Sequence, residues 1–175
     1  MASTYASNTG LELIRNGEQS GTWGTTTNNN LNIIDRLTNG VLSISLAGAN
    51  SYTLTTGNGN LTEGQHKVIV LTGSPSGAVT FTIAPNTNEH IYFFYNQTNA
   101  QVTVTQGSGA NVVIPAVASS AGVNIVYCDG AGAGAAVTSL TNNLAMDNVS
   151  ITGGVVAGIT DLAIADGGTG ASNAS

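Results

Sequence analysis

From about residue 41 to residue 141 the chain alternates apolar and small polar side chains with a period of two. Leu42–Leu46, Tyr52–Thr56, Val79–Ile83 and Val102–Thr105 all follow this rule, which predicts strands with one face on a core. Val68–Leu71, Ile91–Tyr95, Val112–Ile114 and Val123–Tyr127 are apolar almost without interruption and read as inner strands. Between the runs stand Gly57-Asn-Gly59, Gly73-Ser-Pro-Ser-Gly77, Gly107-Ser-Gly109 and Asp129-Gly130, residues that reverse a chain because they accept turn backbone angles. Short strands at a spacing of roughly ten residues predict a mainly β fold, an antiparallel β-sandwich or jelly roll.

The first 40 residues change period. Leu31, Ile34 and Leu37 recur at three-residue spacing, and Ile33, Leu37 and Val41 at four, so one apolar stripe predicts a short helix of about three turns. Thr25–Thr27 are the expected caps at its start and Asn39-Gly40 its stop. A helix of this length is unstable alone, so its stripe must meet the rest of the chain or a partner. Upstream lies a Gly-punctuated loop with the only tryptophan, Trp23. Trp23 has two readings, cover for one edge of the helix or an anchor in a protein interface, where Trp is enriched. Trp23, Leu31, Ile34 and Leu37 are the candidate partner-binding residues.

After residue 141 the pattern loosens. Val149, Ile151, Val155, Val156, Ile159, Leu162 and Ile164 are interrupted by Gly153, Gly154 and Gly158, too often for a helix, in a stretch too short for its own sheet. These seven side chains can be buried only against something else, and matching segments of symmetry mates are the expected partners. The predicted organisation is therefore an attachment arm and helix (1–40), a β-sandwich domain (41–141) and an extended β-rich neck (142–175).

Charge sharpens the picture. Only 7% of residues are charged and the net charge is −6, so the surface is polar mainly through Thr, Asn, Ser and Gly. With three basic residues the chain lacks the cations that phosphate binding requires, which excludes nucleic acid as a partner class. No apolar run approaches the roughly 20 residues of a membrane span, and no membrane insertion is expected. Ala-Ser-Thr-Tyr after Met1 is not a secretory signal, so synthesis and first folding are expected in a cytoplasm. Cys128 is the single cysteine; it ends an apolar run without basic neighbours and reads as a buried, inert strand residue.

Catalytic chemistry finds little support in the residues. The nine carboxylates are scattered and aromatics are only 5%, whereas glycosidases pair two carboxylates in a cleft. His66 and His90 precede strands without metal-ligand spacing. Gly130-Ala-Gly-Ala-Gly134 lacks the Lys-Ser/Thr of a phosphate loop, and no Gly-x-Ser-x-Gly elbow occurs. Neither an enzyme nor a cofactor or metal is expected.

Several stretches are similar to one family. Asn8-Thr-Gly-Leu-Glu-Leu-Ile14, Gly17-Glu-Gln-Ser-Gly-Thr-Trp-Gly-Thr25 and Asn30-Leu-Asn-Ile-Ile-Asp35 resemble the N-terminus of tail fibres and related virion structural proteins of tailed bacteriophages, marine and cyanobacterial ones in particular. Val126-Tyr-Cys-Asp-Gly130 and Ile159-Thr-Asp-Leu-Ala-Ile-Ala-Asp-Gly-Gly-Thr-Gly-Ala171 are similar too. The resemblance implies a homotrimeric fibre, anchored to the tail, baseplate or an adaptor through its N-terminal part, with distal parts meeting a host surface glycan. It also implies a place in the virion after assembly in the host cytoplasm. A departure is that family members continue well beyond Gly-Gly-Thr-Gly, whereas this sequence ends at Ser175. The residues alone also allow a dimer, and a free-standing carbohydrate-binding or adhesin module is the alternative function.

Overall fold

The computed structural model describes residues 2–117 and 122–141. The seven apolar neck residues, Val149 to Ile164, lie outside the described residues.

The N-terminal arm is a small antiparallel hairpin of β1 (Thr4–Tyr5) and β2 (Glu12–Leu13). At its tip Gly10 takes φ +69°, and a Cβ there would fall 2.3 Å from the Gly57 carbonyl oxygen. Only glycine allows this approach, which is fixed by the Gly59 N–H donating to the Gly10 carbonyl at 2.7 Å.

The helix α1 (Trp23–Asn39) has 17 residues, longer than the expected three turns, and starts before the Thr25–Thr27 caps. Trp23 is its first residue rather than part of the loop. Its Thr- and Asn-rich sequence is a poor helix former, so tertiary contacts must hold it. The Asn30 side chain accepts from Glu12 N–H at 3.0 Å and donates to Glu12 C=O at 2.8 Å, as a strand partner would. The Arg36 guanidinium donates to the Thr62 carbonyl, and Ile33 is fully buried. Gly40 ends the helix as expected, its N–H bonded to the Arg36 carbonyl.

The β region follows in strict alternation between two sheets. β3 (Val41–Ser45), β5 (Val68–Thr72) and β7 (Glu89–Asn96) belong to one; β4 (Ser51–Thr55), β6 (Val79–Ala84) and β8 (Val102–Thr105) to the other. Each connection crosses the interior edge and reverses the chain, and two reversals restore its direction. Neighbours β3, β5 and β7 are therefore parallel, as are β4, β6 and β8. The chain winds as a flattened coil before β9 (Val112–Ile114), β10 (Val123–Asp129) and β11 (Val137–Ser139) close it with antiparallel pairings. The final orders are β11-β10-β7-β5-β3 and β4-β6-β8-β9. The mainly β, two-sheet architecture is as the sequence predicts, but its sheets are mixed and its connectivity is a coil rather than a jelly roll.

One core lies between the sheets. Ile69, Leu71, Tyr92, Phe94, Val126 and Cys128 from one side meet Leu54, Phe81, Ile83, Val104 and Ile114 from the other. Polar groups inside are matched: buried Asn96 donates to the carbonyls of Ala100 and Pro115 and accepts from Thr98, and Tyr92 donates to the Gly64 carbonyl at 2.7 Å.

Candidate interaction surface

The two sheets turn very different outer faces to solvent. On the four-stranded sheet, alternate positions present Ser51, Thr80 and Thr103 in one cross-strand row, which ends on the exposed Val113 of the edge strand, and Thr53, Thr82 and Thr105 in the next. Hydroxyls and β-branched side chains suit a strand surface in water.

The five-stranded sheet does the opposite. Its register aligns Val41, Val68, Phe93 and Ile125 in one row and Ser43, Val70, Tyr95 and Val123 in the next. Ile91 and Tyr127 pair in a third. The inward neighbours Ile69, Tyr92, Phe94 and Val126 are buried, whereas Phe93 and Tyr95 are each 37% exposed and Val123 57%. This corrects the sequence-based reading of these runs. Val68–Leu71, Ile91–Tyr95 and Val123–Tyr127 are interior in strand order, yet only one face is covered, and Val112–Ile114 is an edge strand. Val41, assigned from its spacing to the helix stripe, opens β3 and stands 62% exposed on this face.

The helix carries a second uncovered surface. Trp23 is 62% exposed and Leu31 58%, and Ile34 is exposed as well; at 3.6 residues per turn the three fall within about 80° of arc. Leu37 is half-buried and turns toward the end of the five-stranded sheet. The expected stripe therefore divides: Ile33 packs inward, Leu37 lies at the boundary, and Trp23, Leu31 and Ile34 face outward.

A shallow open cleft separates the helix end and arm from the sheet, lined by Asn8, Thr9, Leu37, Lys67, Glu89, His90, Ile91 and Tyr127. The Asn8 side chain accepts from the Glu89 N–H, and the Lys67 ammonium lies 5.7 Å from the Phe93 ring centre, a cation–π distance. Burial and the charge of Lys67 push the His90 imidazole down to about 4, keeping it neutral. Beneath the cleft Cys128 pairs opposite His90, its thiol pushed up to about 12 by burial and Asp129.

Among the described residues no three His, Cys, Asp or Glu side chains gather as a metal site, and each buried side-chain nitrogen and oxygen has a hydrogen-bond partner. No helix among them is long and apolar enough to cross a membrane. Comparison with family models, curated proteins and solved structures gives no match. Large apolar side chains thus stand exposed at strand spacing on one face of the five-stranded sheet.

Proposed function

We propose that this chain is a structural subunit that assembles with copies of itself, and that its assembly is a trimeric tail fibre component of a bacteriophage virion. The observation that supports self-assembly is the apolar outer face of the five-stranded sheet beside a threonine-covered sheet in the same molecule. A chain that clothes one sheet in hydroxyls does not leave Phe93, Tyr95 and Val123 bare for lack of polar residues. Contiguous apolar surface of this kind marks a protein contact. The narrower reading, a fibre that docks on the tail, baseplate or an adaptor through its N-terminal part for host attachment, is supported by the sequence resemblance.

Sedimentation equilibrium of the full chain tests the proposal. A concentration-dependent trimer is the expected result; a monomer at all concentrations overturns it. A second reading, a carbohydrate-binding module, is favoured by one feature, the cleft in which Asn8, Lys67 and Glu89 stand beside the Tyr127 ring. A monomer that binds a glycan array through that cleft would establish it instead.

A further inference from the structure

We infer that the exposed face of α1 in one copy of this chain packs on the outer face of the five-stranded sheet in a neighbouring copy. The inference rests on the self-assembly reading and supplies it with an interface inside the described residues. A sheet face and a helix stripe are the two halves of an ordinary layered contact, and the described residues leave both halves uncovered. They do not cover each other within one molecule, since Trp23 is 62% exposed while Phe93 is 37% exposed. Other parts of the helix are committed to their own chain: Ile33 and Arg36 face the fold, and Asn30, beside Trp23 on the helix, holds the arm through Glu12.

The dimensions agree. From Trp23 to Ile34 the helix runs about 16 Å at 1.5 Å per residue. The apolar row from Val41 to Ile125 spans four strands, about 14 Å at the usual strand spacing, and Ile91 to Tyr95 covers about 13 Å along β7. The bare sheet face is on the order of 600 Å², at the upper end of the largest apolar patch on a typical monomer and below the roughly 800 Å² per partner of a stable interface.

Charge also favours a second copy as the occupant. The two apolar rows carry no ionisable group except the Tyr95 phenol, and Trp23, Leu31 and Ile34 carry none. A copy at net charge −6 is repelled overall, and the charge it meets at the contact is the Lys67 ammonium over the Phe93 ring. Association should therefore strengthen as salt screens the repulsion. Because the mating surfaces differ, the contact is head to tail, the kind that closes into a ring when the rotation permits.

Cross-linking tests the pairing directly, because Cys128 is buried and supplies little background. Full-length Leu31→Cys and Val70→Cys variants are mixed, allowed to exchange subunits and oxidised. A disulfide joining the two variants is expected in the mixture, with little product from either variant alone. Equal or greater yield from Val70→Cys alone would place two sheets face to face and overturn the inference, as would a mixture that gives no cross-link. In parallel, Trp23→Asp and Tyr95→Asp should each weaken self-association about thirty-fold or more while the melting transition is retained. If the parent is oligomeric and both variants associate as tightly, this interface is wrong although self-assembly stands. If the parent is monomeric, the self-assembly reading fails with it.

Discussion

Phe81 and Phe94 meet edge to face across the interior, one from each sheet, with ring centres 5.3 Å apart and planes at 84°. Tyr52 stacks on the other side of Phe81 at 5.3 Å. This aromatic contact joins the two sheets at their centre, so truncating either Phe removes packing from both. Phe94→Ala is expected to cost about 3 to 5 kcal/mol, read as a lower urea midpoint. Its chain neighbour Phe93 points outward, and Phe93→Ala should cost well under half as much. Lys67→Ala and Glu89→Ala should fall within about 1 kcal/mol of the parent. Equal losses at positions 93 and 94 would contradict the assignment of faces.

His90 makes stability depend on pH in a defined window. Its folded-state pKa, pushed down to about 4, lies below the ordinary value of 6.5. Between these values the unfolded chain binds a proton that the folded chain refuses. Stability is thus highest above about 6.5, falls as the pH drops toward 4, and loses nothing further from this group below that. The loss is about 3 kcal/mol at most. Thermal melts from pH 7.5 to 4.5 should show the decline, and His90→Gln should flatten it.

Cys128 should be silent in the native protein. It is 0% exposed, and a thiol pushed up to about 12 is ionised only to about one part in ten thousand at pH 8. A chromogenic disulfide reagent should titrate no thiol in native buffer and one per chain in guanidinium. Rapid native reaction would show that β10 opens far more readily than its buried register implies.

The hairpin depends on Gly10. Gly10→Ala places a methyl against the Gly57 carbonyl in a backbone region that alanine resists, and should cost about 1 to 3 kcal/mol in the local docking of the arm. Trypsin cleavage after Arg15 should accelerate while the far-ultraviolet signal of the sheets is kept. An unchanged cleavage rate would mean that the arm does not rely on this contact.

Much of the β region is legible in the sequence because alternation is a local property. Val79–Ile83 and Val102–Thr105 show which side chains face inward before any partner strand is known, and Gly40 marks the helix end. Strand pairing is a different matter. Gly73-Ser-Pro-Ser-Gly77 announces a reversal, but a hairpin within one sheet and a crossing to the other need the same residues, so the parallel coil is invisible locally. The continuous run Ile91–Tyr95 misleads for a related reason. Apolar residues on both faces ordinarily mean cover on both faces, and nothing in the run says that the described fold covers only one of them. Trp23 and Leu31 are legible as interface candidates because they are large and apolar on a short helix. Val41 is misread because one residue beyond the helix stop still fits its spacing.

The coil has a consequence for how the chain reaches this state. Val41 pairs with Val68, Val68 with Phe93, Ser51 with Thr80 and Val79 with Val102. Each pairing closes a loop of about 25 residues, so their closure entropies differ by only about 0.2 kcal/mol. No single long-range contact stands as the slow gate. Once one turn of the coil is in place, either neighbouring turn can be laid on its open edge at nearly equal entropic cost, much as a solenoid propagates from any starting repeat. Order of formation is then left to the side chains, and one turn of the coil holds the three largest fully buried ones among the described residues, Tyr92, Phe81 and Phe94.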